Sequence, residues 1–328
     1  MHLIAGLGYL FMLWQQGGFE LLCKHWVNQS TIPKEKLFSI EIPLAPADEQ
    51  IRIVNKIDAL LAKVDACKER LDKIPAILKR FRQSVLSAAC SGRLTEEWRA
   101  PHDVGDRDWK IVAFFDFCLL QRGYDLPLSN SVNGPYPIVT SAGEVAYHNQ
   151  FKAHGPGVVT GRSGSIGKVY YVDKDFWPHN TALFVRDFRG NYPRYVYYFL
   201  LGFDTRQFSA STAVPTLNRN NLRDLEVNVP PIDEQHEIVR RVEALFKLAD
   251  DIEKRYEKAR VHVDRLTQSI LAKAFRGELV PQDPDDEPAS VLLERIRAER
   301  EKRETEGRTG RQGSRRRTRV SRGTSRAR

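Results

Sequence analysis

The sequence contains few sulfur atoms, with only four Cys and two Met among 328 residues. The cysteines are far apart in the chain and never form the C-x-x-C spacing of zinc and redox sites. They are Cys23, Cys67, Cys90 and Cys118. We therefore expect free thiols, no metal site and a reducing, cytoplasmic compartment.

The sequence also lacks a long hydrophobic run. Its most apolar stretch, Leu3–Trp14, is too short to cross a bilayer as a helix. No Lys or Arg precedes this stretch and no small-residue cleavage site follows it, unlike in a secretory signal peptide. We therefore expect no membrane partner.

A net positive charge is absent from most of the chain. The total of +9 arises between Gly307 and Arg328, where there are nine arginines and no acid, so residues 1–306 carry 42 basic and 42 acidic groups. The segment 307–328 has almost no apolar residues and is predicted to be disordered. It either contacts phosphates non-specifically or is a solvated terminus with no role.

One pattern occurs twice, 185 residues apart. Residues 45–94 align with residues 230–279 without a gap, and both copies open with a P-x-D-E-Q motif. In each copy, ten apolar positions follow one another at alternating steps of four and three. They are Ile53, Ile57, Leu60, Val64, Cys67, Leu71, Ile74, Leu78, Phe81 and Val85 in the first copy, and Ile238, Val242, Leu245, Ala249, Ile252, Tyr256, Ala259, Val263, Leu266 and Ile270 in the second.

This spacing predicts two coiled-coil helices. Each apolar seam would extend roughly 50 Å at 1.5 Å per residue, which is too long for a helix of a compact domain. An exposed apolar seam needs a partner, and the other copy is the nearest one. Equivalent preceding segments favour an antiparallel pair, so that the chain resembles a dimer fused into one polypeptide.

Both predicted helices have clear ends. Acids follow the opening proline, where they can cap free N–H groups and interact with the helix dipole, and a glycine ends each helix. These residues are Asp48, Glu49 and Gly92 in the first copy, and Asp233, Glu234 and Gly277 in the second. Pro75 is expected to kink or break the first helix, whereas the second has Arg260 at that position.

Residues 101–226, the central domain, have a different composition, with aromatic residues, glycines and short β-rich runs that predict a mixed α/β globular domain. Residues 195–230 have a faint echo in the first forty residues at the same offset, where Gly17, Thr31 and Leu37 align with Gly202, Thr216 and Leu222. The apolar run near the N-terminus is therefore predicted to be a helix, and we expect the chain to begin inside a globular unit.

No catalytic motif survives inspection. GRSGSIGKV, from Gly161 to Val169, resembles a phosphate-binding loop, but its glycines are one residue too far apart and Val169 replaces the magnesium-binding hydroxyl. This stretch is either a turn between strands or a binding loop. HEIVR lacks the second His of a zinc protease, and there is no cofactor fingerprint or triad pattern. We expect no catalysis by this chain.

Residues 41–328 resemble the specificity subunits of type I restriction-modification systems. The resemblance is carried by the two P-x-D-E-Q openings, by QSVLSAACSGRLT and QSILAKAFRGELVPQDPDDEPASVLLERIRAER at the helix ends, and by RSGSIGKVYY between them. It implies an α+β fold with a globular target recognition domain and two long antiparallel coiled-coil helices. The implied segments are a remnant of a first recognition domain (1–40), a first helix (41–95), a complete recognition domain (101–226), a second helix (230–280), a C-terminal helix (281–306) and the disordered tail (307–328).

The resemblance also implies a function and partners. Such a subunit is non-catalytic, binds one half of a bipartite site in double-stranded DNA and docks methyltransferase subunits on its helices, and a restriction subunit then joins. This chain itself would hold no cofactor; S-adenosylmethionine, ATP and Mg would belong to the partner subunits. A 50 Å helix pair corresponds to about 15 base pairs. Because only the end of a first recognition domain is expected, the chain is either a remnant, or a product of a misassigned start, or one of two chains that pair to supply two recognition domains.

Direct readout of bases requires Arg, Asn, Gln, Ser and Thr side chains on loops. The candidates are Arg162, Ser163, Lys168, His179, Asn180, Thr216, Asn218, Arg219 and Asn220. Of the basic residues, Lys168, Arg194 and Arg206 suit phosphates. For each of them the alternative is a solvated loop residue. The central domain carries 13 basic and 12 acidic residues, so affinity would depend on local arrangement and on partner subunits.

Two other functions remain open. The chain could be a coiled-coil adaptor, or inactive remnant, that binds protein without DNA readout. A free-standing nuclease is the weakest alternative, because the sequence shows no pair of metal-binding carboxylates.

Overall fold

The computed structural model describes residues 23–26, 29–40, 44–102, 108–210 and 216–302. The predicted helix in Leu3–Trp14 and the predicted disorder of 307–328 lie outside these residues. The chain divides into two compact units, one containing residues 1–72 and 257–328 and the other residues 73–256.

Helices and strands are both abundant, which confirms the mixed α+β fold class. The helices are α1 (Lys34–Phe38), α2 (Ala47–Asp72), α3 (Ile74–Cys90), α4 (Glu96–Arg99), α5 (Phe114–Phe117), α6 (Pro193–Gly202), α7 (Ile232–Phe275) and α8 (289–302). At 44 residues α7 is the longest, and it spans about 66 Å at 1.5 Å per residue.

In the unit formed by residues 73–256, α3 runs antiparallel to the first part of α7. Arg82 of α3 forms ion pairs with Asp250 at 2.7 Å and with Glu253 at 2.8 Å. Beyond the end of α3, the Leu94 carbonyl accepts a hydrogen bond of 2.8 Å from Arg241, which lies nearer the start of α7. Contacts thus move toward the start of α7 as α3 proceeds, as predicted.

The other unit holds α2 and the last part of α7. Lys68 of α2 lies 3.7 Å from Asp264 of α7. Near the start of α2, the Arg52 guanidinium donates two hydrogen bonds, of 3.0 and 2.5 Å, to the carboxylate of Asp286, beyond the end of α7. This hydrogen bonding lowers the pKa of Asp286. The helix pair is antiparallel here too.

The predicted apolar seam is protected from solvent. Every seam position of the first copy is buried or half-buried except Cys67, and every one of the second except Ile252, which is 38% exposed. Ile238 and Val242 are fully buried. Burial of such a side chain contributes about 1.5 to 3 kcal/mol, so the seam supplies much of the stability of the helices.

The two copies differ at the predicted proline break. α2 ends at Asp72 and α3 begins at Ile74, with Pro75 in its first turn, where a missing N–H is tolerated. α7 continues through Arg260 without interruption. The predicted glycine stops are present, since Gly92 and Gly277 have φ values of 77° and 73°.

The strands of the chain form small antiparallel or mixed sheets. They are β1 (Lys24–Trp26), β2 (Gln29–Thr31), β3 (Lys110–Ala113), β4 (Leu119–Arg122), β5 (Tyr136–Thr140), β6 (Gly143–His148), β7 (Gly157–Gly161), β8 (Val169–Val172), β9 (Trp177–Pro178), β10 (Ala182–Asp187), β11 (Ser209–Ala210), β12 (Thr216–Leu217) and β13 (Glu226–Val229). The sheet orders are β4-β10-β7-β8, β6-β5-β9, β13-β3, β11-β12 and β1-β2.

The strand order of the central domain places its loops at one end of the strands and its chain termini at the other. In the four-stranded sheet, the start of β10 pairs with the ends of β4 and β7, and β8 begins beside the end of β7. The segment after β4, the β7–β8 loop and the segment before β10 therefore meet at one end of the sheet, which we call an edge. The first and last strands, β3 and β13, pair with each other, with Lys110 opposite Val229. The chain therefore enters and leaves the domain at adjacent positions, next to the start of α7.

The main hydrophobic core of this unit is shared between the domain and the helices. It contains apolar side chains from the four-stranded sheet and α6, and it also includes Val85, Leu86 and Ala89 of α3 and Ile238, Val239 and Val242 of α7. The central domain is thus packed on the helix pair rather than tethered by a linker.

The 185-residue offset extends into secondary structure upstream of α2. Added to β1, β2 and α1, the offset gives positions within two residues of β11, β12 and a 3₁₀ helix at Arg219–Leu222. β1 and β2 form an antiparallel pair, as β11 and β12 do. The faint sequence echo therefore corresponds to a repeated structural element.

Candidate nucleic-acid interface

A buried carboxylate attaches the central domain to the start of α7. Glu234 is fully buried and accepts hydrogen bonds from Thr95 Oγ1 at 2.5 Å, Arg99 Nε at 2.8 Å and Trp109 Nε1 at 2.7 Å. The sequence predicts helix capping for this residue. Its observed partners instead come from the end of the first repeat and the beginning of the domain, so it links three segments of the chain.

Gln235 forms a second attachment. Its amide accepts from Tyr192 N at 2.8 Å and donates to Asn191 Oδ1 at 2.7 Å and to the Pro230 carbonyl at 3.0 Å. In the first copy, the equivalent Gln50 donates to the carbonyl of Ala45 at 2.8 Å. In the second copy, Glu234 and Gln235 therefore have tertiary roles, whereas the bond of Gln50 in the first copy stays within the start of its own helix.

Two arginines predicted as phosphate ligands form ion pairs. Arg194 bonds Glu243 of α7 at 2.9 Å and lies over the ring of Tyr171 at 4.3 Å, an arrangement that reinforces the attachment of the domain. Arg206 bonds Asp204 at 2.7 Å, and this hydrogen bond lowers the pKa of Asp204. Each guanidinium therefore already has a carboxylate partner within the chain.

The loops at the opposite edge of the four-stranded sheet bring most predicted site residues together. We call the surface formed by residues 122–126, 162–168, 179–181 and 216–220 the loop face. The 162–168 connection joins β7 to β8, so it is a hairpin loop, which confirms the predicted turn between strands. Main-chain pairing of Ser163 with Thr216 joins this loop to β12.

Thr181 organises the loop face. Its carbonyl accepts hydrogen bonds of 3.0 Å from the main-chain N–H groups of both Arg162 and Ser163, and its hydroxyl accepts one of 3.3 Å from Ser141 N. The side chain of Arg162 donates to the Asn180 carbonyl at 3.2 Å. These bonds fix the position of the loops relative to one another.

His179 uses both ring nitrogens inside the domain. Nε2 lies 3.2 Å from the Leu126 carbonyl, which can only accept, so Nε2 carries a hydrogen. Nδ1 then accepts from the N–H of Thr181 at 3.4 Å and lies 3.1 Å from its hydroxyl. In this arrangement His179 holds two loops together.

The remaining predicted residues differ in exposure. Arg219 donates to the Leu120 carbonyl at 3.0 Å, and Asn218 accepts from Asn220 N at 3.0 Å, whereas Asn220 itself is exposed. Lys168 is also exposed, and no ion pair with it is found within the described ranges. It lines a cavity of about 630 Å³ between the hairpin loop, α3 and the end of α6.

The side chain of Asn180 faces an acid. Its amide donates to Asp125 Oδ1, which also lies 3.4 Å from Arg122 Nη2. Asp125 and Arg122 are 73% and 51% exposed. The loop face therefore presents donors, a cation and a carboxylate side by side.

Comparisons with known proteins identify the family. Residues 106–262 match the family model of the type I restriction modification DNA specificity domain. The type I restriction enzyme EcoDI specificity subunit of Escherichia coli is 33% identical over 322 aligned positions, which cover 83% of this chain and 72% of that protein. This chain belongs to the specificity subunits of type I restriction-modification systems. The EcoKI specificity subunit of E. coli K12 is 35% identical, with 83% and 67% covered.

Solved structures agree on the fold of these specificity subunits. A chain from a structure titled "Structural basis underlying complex assembly and conformational transition of the type I R-M system" superimposes with a TM-score of 0.61 at 19% identity, covering 82% of this chain and 68% of that one. The HsdS subunit from Thermoanaerobacter tengcongensis gives 0.57 at 18% identity, covering 83% and 70%.

The part of the chain that the structure describes contains neither a group of metal ligands nor a helix that could span a membrane. There, no three His, Cys, Asp or Glu residues are grouped as metal ligands. No described helix is both long and apolar enough to cross a membrane.

Sequence reasoning missed Asp125 and Thr181. Asp125 belongs to a residue type that is usually repelled by DNA, so a search for donors passed over it. Thr181 acts mainly through its main-chain carbonyl, which no sequence pattern reveals. The proximity of the loops depends on the strand order of the sheet, and that order is not encoded locally.

Proposed function

We propose that this chain is a non-catalytic DNA-recognition subunit, in which the loop face binds one half of a bipartite site and the helices dock methyltransferase subunits. The observation that carries the proposal is the rigid attachment of the central domain to α7 at one edge, with the loops gathered at the other. The shared core and the bonds of Glu234 and Gln235 support that rigidity. A recognition surface held in this way has a defined orientation relative to the helices.

The chemistry of the loop face suits a duplex. Arg, Asn and Ser side chains on loops can reach base edges in the major groove, while Lys168 suits a phosphate. If Arg162 contacts a guanine, Arg162→Ala should weaken binding to the preferred half-site by about 1 to 3 kcal/mol and leave binding to other DNA almost unchanged. An equal loss on all sequences would make Arg162 a phosphate contact instead.

The matched control is Arg186→Ala, because Arg186 is an exposed arginine toward the other end of β10. It removes the same charge without touching the loop face. Arg162 also donates to the Asn180 carbonyl, so its replacement removes a bond within the domain. Circular dichroism should therefore be used to check that both variants fold. A loss of specificity in both variants would argue against the loop face as the DNA site.

Exposed apolar residues on the helices support protein docking. In the unit formed by residues 73–256, Ile77 of α3 and Leu248 of α7 are 58% and 53% exposed. We expect Ile77→Asp and Leu248→Asp to reduce capture of a co-expressed methyltransferase subunit while leaving the melting temperature unchanged. Ser84→Asp, at an exposed polar position of α3, is the control and should have no effect.

Methylation mapping tests the whole proposal. Deletion of the gene for this chain should abolish methylation at a bipartite DNA motif. Unchanged methylation, together with normal capture of a protein partner, would favour a protein-binding adaptor without DNA readout.

A further inference from the structure

We infer that Asp125 determines specificity by accepting a hydrogen bond from the exocyclic amino group of cytosine or adenine in the major groove. The inference rests on the proposed DNA-binding function of the loop face. It adds a negative charge to a surface for which the sequence indicates only cationic and neutral side chains.

The structure holds Asp125 in a fixed place. The preceding Gly123 lies so close to the neighbouring loop that an added Cβ would be 2.2 Å from the carbonyl oxygen of His179. The next residue, Tyr124, donates from its main chain to the Pro178 carbonyl at 2.8 Å. On the other side of Asp125, the Leu126 carbonyl lies 3.2 Å from His179 Nε2, so the residues before and after the acid are both bonded to the segment 178–179.

The carboxylate of Asp125 is accessible and only partly satisfied. Its side chain is 73% exposed, and Oδ1 accepts from the Asn180 amide and lies near Arg122. Among the residues that the structure describes, none donates to Oδ2. One oxygen thus remains to bind an external donor beside Asn180.

The chemistry of DNA selects the donor. Phosphate and sugar edges offer a negative charge or acceptors, so they repel a carboxylate. In the major groove, only cytosine N4 and adenine N6 are donors, whereas guanine and thymine present O6, N7 and O4 acceptors. A carboxylate on the loop face is therefore unfavourable opposite guanine or thymine and favourable opposite an amino group.

The test is selection of random double-stranded DNA by the purified full chain, compared with Asp125→Asn. The wild type should prefer cytosine or adenine by about fivefold to tenfold at one position. In the variant the amide can donate as well as accept, so this preference should fall below about twofold while other positions keep theirs. The base enriched by the wild type identifies which amino group is bound.

Asp173→Asn is the matched control, because Asp173 is an exposed acid beyond β8, at the opposite end of the β7–β8 hairpin from Arg162. It should leave every position unchanged. Circular dichroism and thermal melting should show that both variants fold as the wild type does.

Three results would overturn the inference. Asp125→Asn with an unchanged motif would exclude readout by this residue. Uniformly tighter binding of that variant to all DNA would mean that Asp125 only repels phosphates. Failure of the wild type to select any motif would overturn the proposed DNA-binding function as well.

Discussion

Replacement of Glu234 by glutamine tests how the central domain is attached to its helices. The carboxylate is fully buried, and Arg99, its charged partner, has a side chain only 13% exposed. The introduced amide is neutral and presents one donor group where three donors converge, so the guanidinium loses its counter-charge and at least one donor loses its acceptor. Removal of one member of a buried ion pair costs about 3 to 5 kcal/mol.

Urea unfolding followed by circular dichroism measures this loss. A change of that size shifts the midpoint by at least about 1 M, since the dependence on urea is about 1 to 3 kcal/mol per molar. Glu253→Gln is the control, because the Glu253 side chain is 46% exposed and its pair with Arg82 should contribute under about 1 kcal/mol. Unfolding of both variants at the same urea concentration would show that the Glu234 carboxylate does not hold the central domain on the helices.

A double variant measures the energetic coupling between Arg99 and Glu234. Arg99→Met combined with Glu234→Gln removes both charges and leaves no unpaired ion. The double variant should therefore be less destabilised than the sum of the two single variants. Simple additivity would show that the two groups act independently.

Three further perturbations concern the helices. Leu245→Asp should destabilise the chain by at least about 2 kcal/mol because it places a charge in the seam. Leu248→Asp, at an exposed position of the same helix, should not. Equal melting temperatures of the two variants would contradict the packing of Leu245 in the seam. Arginine hydrogen bonds, chiefly from Arg240, lower the pKa of Glu237 to about 2, so its stabilisation should be present above pH 4.5 and lost as the pH falls toward 2. Chemical denaturation of Glu237→Gln across this range should lack that part of the pH dependence. Thiol labelling at pH 8 should modify exposed Cys67 before Cys90, because burial raises the Cys90 pKa to about 12, and equal rates would exclude this packing.

The sequence predicted the helices better than the candidate recognition surface, for a physical reason. A seam such as Ile238 to Ile270 repeats a local spacing, and a glycine such as Gly277 ends a helix through its own backbone conformation, so both can be read from neighbouring residues. Pro75 broke the first helix as expected because its effect is also local.

The bonds that build the loop face join residues far apart in sequence. Asn180 meets Asp125 across 55 positions, and the partners of Glu234 are more than 120 positions away. No local pattern specifies such a meeting, because it depends on strand order and on packing against the helices. Most of the predicted site residues nevertheless lie on the loop face. Polar residues are common in loops between strands whatever the order of those strands, so a search for polar loop residues finds them.

Because β3 pairs with β13, the two ends of the central domain lie side by side, which bears on how such proteins evolve. Neighbouring strands lie about 4.8 Å apart, so the first and last strands of the domain form a narrow junction next to the start of α7. Any folded segment whose own termini are equally close can be inserted at that junction without altering the length or register of the helices. Under the proposed function, exchange of genetic cassettes at this point would alter the DNA preference and leave the docking surfaces of the helices unchanged.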